Sequence, residues 1–515
     1  MKRITAGWIG LWLLCHFGAM AQDKNVLFII IDDLKPLIHS YGESQMITPN
    51  LDAFTAESVA FTNAHCQQAV CAPSRVSFMT GMRPDYTRVW DLKTNMRDMN
   101  PDILTMPQYF KQNGYETIGM GKVLHGAKKN DPRSWSLPFV EDIDLDYAEG
   151  YEIPANFKYQ SPEIQKVYQE MKNDFPGDPT SDKVWLAVNQ AFKKRGINPS
   201  TECIDVPDDA YADGALVTKS IATMEMFQKG KKPFFIAVGF HKPHLPFVAP
   251  KKYWDLYDRD QIQLASFQAH AEGSPAFAYH TFGELKNYSD IKKSLDENGA
   301  VIPDKQRELI HGYYASVSYV DAQVGLLMEY LKSSGLDKTT TVVLIGDHGW
   351  HLGDHGLWNK HSNFEQATRT PLMVKSPDYT FFKENDSPVE LVDVFPTICE
   401  LSGLQAPNHL QGQSLVPIVS GEKTAVKSFA ISQYPRGERM GYAIRNDRYR
   451  YVEWYEGDFD NRTSYDETKV VARELYDYQE DPLETKNWVN EASKQAVLAT
   501  MQTELRTTIW ESNEQ

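Results

Sequence analysis

Cysteine is scarce in this chain, five residues in 515, and that excludes a disulfide-built scaffold. Internal repeats, low-complexity tracts and apolar runs long enough to cross a bilayer are missing too, so solenoid, collagen-like and membrane-spanning architectures drop out. Cations are in the minority, with 53 Lys and Arg against 69 Asp and Glu for a net charge of −16. A general nucleic-acid binder, or a protein held on anionic lipid by charge, carries the opposite balance. What is present is a sequence 42% hydrophobic and 12% aromatic. That is enough to bury a large core, at a length that suits one large domain with an appendage.

The N-terminus reads as a targeting signal. Lys2 and Arg3 precede a largely apolar stretch from Ile9 to Phe17, and Ala19-Met20-Ala21 offers a small-x-small cleavage pattern. The expected division is a signal peptide over 1–21, a main domain over 22–425 and a C-terminal subdomain over 426–515. Cleavage after Ala21 leaves Cys66, Cys71, Cys203 and Cys399 and a net charge of −18, from 51 basic and 69 acidic residues. The expected destination is a periplasm or the cell exterior, or a lysosome in a eukaryotic source.

Four short apolar runs each end in polar or small residues. Asn25 to Ile31 leads into Asp32-Asp33, and Tyr115 to Met120 into Gly121-Lys122 with His125 close behind. Phe234 to Phe240 leads into His241-Lys242-Pro243-His244, and Thr340 to Ile345 into Gly346-Asp347-His348. Continuous apolar runs of this length read as strands buried on both faces of a parallel sheet. Helical periodicity falls between them, over Leu51–Val59, Ala210–Phe227 and Lys305–Leu331. The alternation predicts an α/β sheet covered by helices, with ligands bound outside the carboxyl ends of the strands. Beyond residue 425 four short strand patterns and a last helix over Glu491–Trp510 predict a smaller antiparallel sheet with a packed helix. Residues 128–210 and 250–300 show weak periodicity and read as long excursions that could shape a pocket.

Cys71-Ala-Pro-Ser-Arg75 is the sharpest segment. Pro73 suits the first turn of a helix and puts Cys71 just ahead of its N-terminus, where unpaired N–H groups favour an anion. On chemistry alone Cys71 is a structural thiol or disulfide partner, a thiol nucleophile, or a precursor of something else.

The segment fits the C-x-P-S-R signature of the type I sulfatases, accompanied in order by Asp32-Asp33, Gly121-Lys122 and Asp347-His348-Gly349. Within that family the chain resembles the iduronate-2-sulfatase branch. Gln67 to Arg75, Met106 to Phe110, Gly121 to His125, Ala237 to Phe247, Asp347 to Trp350, Trp358 to Phe364 and Met440 to Arg445 carry the likeness. The resemblance implies an alkaline-phosphatase-like sulfatase fold and an oxidised Cys71, converted to formylglycine by a dedicated maturation enzyme. A hydrated formylglycine has one hydroxyl to attack sulfur and a second to expel sulfate. It further implies calcium held by Asp32, Asp33, Asp347, His348 and the residue at 71. Arg75, Lys122, His125, His241 and Lys360 are the remaining catalytic positions, with His241 as acid to the departing alcohol and the two lysines on the sulfate. Trp350 and His244 are candidate substrate contacts. The expected substrate is a sulfated saccharide, attacked at a chain end and built on a uronic acid such as iduronate 2-sulfate, or on an algal polysaccharide unit. A phosphatase or phosphodiesterase with the same sheet, and a non-catalytic carbohydrate-binding relative, are the other readings.

Overall fold

The structure is a computed structural model that describes residues 24–125, 130–172, 174–175, 182–230, 232–457 and 465–511. The signal-peptide reading over 1–21 lies outside these residues.

Strands β1 (Asn25–Ile31), β2 (Val59–His65), β3 (Glu116–Gly121), β4 (Phe234–Phe240), β5 (Thr340–Gly346), β6 (Arg369–Lys375) and β7 (Lys383–Asn385) form the main sheet in the order β7-β2-β6-β5-β1-β4-β3. Val389–Glu390 pairs with β2 as its eighth strand. β1, β3, β4 and β5 run parallel, while β6 is antiparallel to both β5 and β2. The expected α/β class and mostly parallel sheet are therefore observed. Successive residues of β1 point to opposite faces. Leu27, Ile29 and Ile31 join one core with Leu309, Tyr313 and Val317 of helix Pro303–Ser334, whereas Val26, Phe28 and Ile30 join another with Val76, Phe78 and Met79 of helix Cys71–Thr80. In chain order the main helices are α1 (Cys71–Thr80), α2 (Ala212–Gln228), α3 (Pro303–Ser334) and α4 (Gln495–Arg506).

Three expectations shift. The helix anticipated over Leu51–Val59 ends at Thr55, and Val59 opens β2, because the backbone there finds ladder partners in β6 and β7, both more than 300 residues away. The first excursion is not irregular. It holds helices Pro162–Lys172 and Asp182–Arg195, whose narrow apolar stripes pack with Tyr253, Trp254 and Tyr319. Cys71 is the first helical residue, not the one before it, and Val70 is the cap.

The C-terminal strands β8 (Ala430–Arg436), β9 (Arg439–Arg445), β10 (Tyr449–Glu456) and β11 (Val470–Asp477) form an antiparallel meander. Leu498, Met501 and Leu505 of α4 pack on it. The meander contacts the segments around Cys66 and Asn363. Ser432 donates to the Cys66 carbonyl (2.6 Å), the Gln433 N–H to the Gln67 carbonyl (2.7 Å) and the Asn363 amide to the Gly441 carbonyl (2.9 Å). It therefore buttresses the chain on its way to Cys71 and the loop that follows Lys360.

One contact is tight enough to test. A Cβ on Gly239 of β4 would stand 2.1 Å from the Lys122 carbonyl group, and Gly121, at φ +69°, turns the chain over that point. Gly239→Ala is expected to displace Lys122 and destabilise the fold by about 3 kcal/mol. Thermal melting checks this, and an unchanged melting temperature would refute it.

Candidate active site

Register explains why the polar residues meet. Ile31 of β1 lies level with Phe240 of β4 and Gly346 of β5, and Gly121 of β3 with Gly239. The next residues along each strand, Asp32, His241, Asp347 and Lys122, therefore leave the sheet at nearly one level along its carboxyl edge. Two hydrogen bonds hold the exits together, from Asp32 N–H to the Phe240 carbonyl (3.3 Å) and from Asp347 N–H to the Ile31 carbonyl (3.2 Å).

α1 brings Cys71 and Arg75 onto this edge. Arg75 is fully buried and donates to Asp32 (2.8 Å) and Asp347 (2.9 Å), and also to the Lys122 and Val123 carbonyls. Ser74 donates to the Asp347 carbonyl (2.5 Å). The Asp33 N–H donates to the Asp347 carboxylate (2.9 Å). Cys71 Sγ lies 3.4 Å from His348 Nε2, 3.9 Å from Asp33 Oδ1 and 4.0 Å from Lys122 Nζ. Lys122 pairs with Asp32, and Lys360 donates to both Asp33 oxygens (2.9 and 3.0 Å). Eight of the residues singled out from the sequence, Asp32, Asp33, Cys71, Arg75, Lys122, Asp347, His348 and Lys360, thus form one contiguous buried cluster.

Its electrostatics pull neighbouring groups in opposite directions. Burial would push Asp32 up, yet Lys122 and Arg75 beside it hold its carboxyl well below the usual range. Asp33 is pushed well above that range by burial, with Asp32 and Cys71 adding to the effect against Lys360. Burial would lower His348, but Asp347, Cys71 and Asp33 draw it up to about 9. One oxygen or nitrogen atom each from Asp33, Asp347 and His348 falls within 4.8 Å of the others and of Cys71 Sγ, and Asp32, Asp33, Cys71 and His244 form an overlapping set. A hard divalent cation fits this donor set, since carboxylate oxygens dominate it and their mutual repulsion needs offsetting.

The remaining candidates separate. His125 is pushed down to about 3 by burial and by Lys122, so its imidazole is neutral. His241 leaves β4 beside the cluster, and its ring Nε2 contacts Asp142 (3.0 Å). His244 stands 3.8 Å from Asp33 and 3.2 Å from Glu284. Lys242 is a structural clamp, donating to the His244 and Pro246 carbonyls. Trp350 does not offer a face to a sugar. It is 1% exposed, set edge-on to Phe247 with Lys360 Nζ 4.9 Å above its ring. Its place behind Lys360, within the core, makes it a support for that ammonium group. All four described cysteines are free, so Cys71 is not a disulfide partner.

Glu284 went unnoticed in the sequence because it lies in the irregular 250–300 stretch. It touches Lys360 (3.5 Å), His361 (3.6 Å) and His244. Despite burial, those same groups hold its carboxyl well below the ordinary range.

The sulfatase family profile matches residues 24–404. This chain belongs to the type I sulfatases. A second profile, that of the N-sulphoglucosamine sulphohydrolase C-terminal region, matches residues 353–511 of the sulfatase. Human iduronate 2-sulfatase is 33% identical, over 94% of this sulfatase and 96% of the human chain. A sulfatase of Formosa agariphila is 32% identical, over 91% and 83%. Among solved structures, a protein in complex with its substrate D-glucosamine-2-N,6-O-disulfate superposes with a TM-score of 0.68 at 19% identity, covering 94% of this sulfatase and 97% of that chain. The phosphonate monoester hydrolase of Agrobacterium radiobacter does so with 0.68 at 20%, over 94% and 95%. These structural likenesses establish the alkaline-phosphatase-like fold, while the sequence relatives establish a sulfuric ester hydrolase.

Proposed function

We propose that this sulfatase is exported and removes one sulfate ester from the end of a uronic-acid-containing or related saccharide, using formylglycine at position 71 and calcium. The observation that carries the reading is the convergence of Cys71 with three carboxylates, His348, Arg75, Lys122 and Lys360 at one strand edge. Converted and hydrated, residue 71 supplies two hydroxyls on one carbon, one to attack sulfur and one to let sulfate go. Asp32, Asp33, Asp347 and His348 would hold the calcium ion, which as a Lewis acid polarises a sulfate oxygen.

The protein's own groups do the rest. Lys122 and Lys360 face the charge that builds on the sulfate oxygens in a site where water is excluded, which makes each contact stronger than in solvent. His125, neutral at working pH, accepts a proton from the attacking hydroxyl, and His241 returns one to the departing alcohol oxygen. Arg75 ties the first turn of α1 to Asp32 and Asp347 and so fixes residue 71 against the cation site. A divalent ion held here would offset the charge of a departing sulfate dianion. A non-catalytic role would have no use for so costly an arrangement.

Exo action is supported by depth and charge. Cys71, Asp32, Asp33 and Asp347 are each at most 1% exposed, and a chain of net charge −16 is poorly suited to hold a polysulfated polymer over its surface. The named activities of the human and mouse relatives favour iduronate 2-sulfate, and an ulvan-active sulfatase of Formosa agariphila, 25% identical, keeps an algal polysaccharide unit as the second reading. Residues 22–425 would then be catalytic and 426–515 a subdomain bracing the pocket. Because Cys71, Ala72, Ser74 and Arg75 are at most 3% exposed, a maturation enzyme would reach them before the fold closes.

A panel of defined sulfated mono- and disaccharides, assayed for released sulfate beside the intact polymers, tests this reading. The expected order is terminal uronate 2-sulfate first and intact polymer last, and faster release from polymer than from oligosaccharide would overturn the exo assignment.

A further inference from the structure

Val140, in the excursion after β3, lies beside that strand. Val140 bridges Met120 in parallel, its N–H donating to the Gly119 carbonyl (3.0 Å) and its carbonyl accepting from the Gly121 N–H (3.0 Å). Val140 thus pairs with the end of β3 in a single parallel bridge. The rule that delivers Asp32, Lys122 and Asp347 to the carboxyl edge therefore delivers Asp142 there as well. Asp142 opens a short turn over Asp142–Asp144, is buried, and receives the Tyr147 hydroxyl on its main-chain carbonyl (3.0 Å). Its carboxylate Oδ1 lies 3.0 Å from His241 Nε2, with the two side chains 12% and 28% exposed.

His241 is held at both ends. Asp213, buried at the start of α2, accepts from the main-chain N–H groups of His241 (2.8 Å) and Lys242 (2.9 Å). The backbone is thereby fixed from one side and the ring from the other. We infer that Asp142 is a positioning residue for this sulfatase, holding His241 as the Nε2–H tautomer so that Nδ1 is the nitrogen that exchanges a proton with the departing alcohol. This rests on the proposed role of His241 as the acid. A carboxylate on Nε2 keeps that nitrogen protonated in both charge states of the ring. The proton that moves is then the one on Nδ1. As the sulfur–oxygen bond breaks, its electron pair stays on the sugar oxygen, which takes the Nδ1 proton, and the ring becomes neutral with Nε2–H still donated to Asp142. Lys242 is the cation adjacent in sequence, but its ammonium group is committed to the His244 and Pro246 carbonyls.

Asp142→Asn, Asp142→Glu, His241→Asn and the Asp142→Asn/His241→Asn pair test the inference in the matured full-length enzyme. Two readouts are used, ¹⁵N resonances of labelled histidine and turnover of the sugar sulfate that the panel selects. Wild-type His241 is expected to show a protonated Nε2, and Asp142→Asn to move the proton to Nδ1. With it kcat falls about 10³-fold while KM stays within about threefold. Asp142→Glu recovers part of the loss, and Asp142→Asn costs nothing further once His241 is Asn. An unchanged tautomer in Asp142→Asn, or a full additional loss in the double variant, would overturn it. If wild type released no sulfate from any sugar in the panel, the proposed reaction would fail, and the ¹⁵N spectra would still decide whether Asp142 sets the ring.

Discussion

Cys71→Ala is expected to lower kcat by about 10⁶-fold, the size of loss that follows removal of a catalytic nucleophile, without unfolding the protein. The thiol can be spared structurally because its nearest polar neighbours are 3.4 to 4.0 Å away, whereas the helix it opens is secured by Arg75 and Ser74. Cys71→Ser separates the two halves of the proposed chemistry. A single hydroxyl can attack sulfur once and has no partner to expel the product. One equivalent of alcohol per chain followed by arrest, with intact mass increased by one sulfo group, is the expected result. Full sulfatase activity in Cys71→Ala, or steady turnover in Cys71→Ser, would remove formylglycine from the account.

Exhaustive chelation is expected to cost about 10³-fold in kcat, or roughly 4 kcal/mol of transition-state stabilisation, and calcium to restore it. Asp33 is pushed upward chiefly by burial, with Asp32 adding to the effect. Lys122 and Lys360 donate to Asp32 and Asp33, and substrate sulfate would call on the same two ammonium groups. A divalent ion on those carboxylates lets both demands be met. Native mass spectrometry gives a readout independent of turnover, with one ion per chain expected and Asp33→Asn expected to lose it. Undiminished sulfate release after chelation, at a metal content far below one ion per chain, would defeat the proposal.

Much of the site could be read before the fold was seen because its residues sit next to strands. Asp32-Asp33, Gly121-Lys122, His241 and Asp347-His348 each follow an apolar run, so local pattern identified both the strand and what it delivers. Arg75 and Cys71 were legible for another reason, a contiguous five-residue signature. Trp350, beside Asp347-His348-Gly349, reads equally well from the sequence as sugar contact or core, and its packing on Phe247 and beneath Lys360 favours the core. Glu284 and Asp142 gave no signal. Each lies in a stretch without periodicity and acquires its role from a neighbour 76 or 99 positions away, a pairing that no local window contains.

The amino-acid sequence by itself determined the sulfatase family, the α/β class, the strand-end residues and the acidic balance of the chain. All of these depend on contiguous segments or on composition. Tertiary structure alone decided the sheet order with its antiparallel β6, the buttress that the C-terminal meander gives to the chain before Cys71, the opposed pulls on Asp32 and Asp33, and the carboxylates that orient His241 and brace Lys360. Those properties come from long-range register and from burial, which set the distances between charges and the dielectric around them.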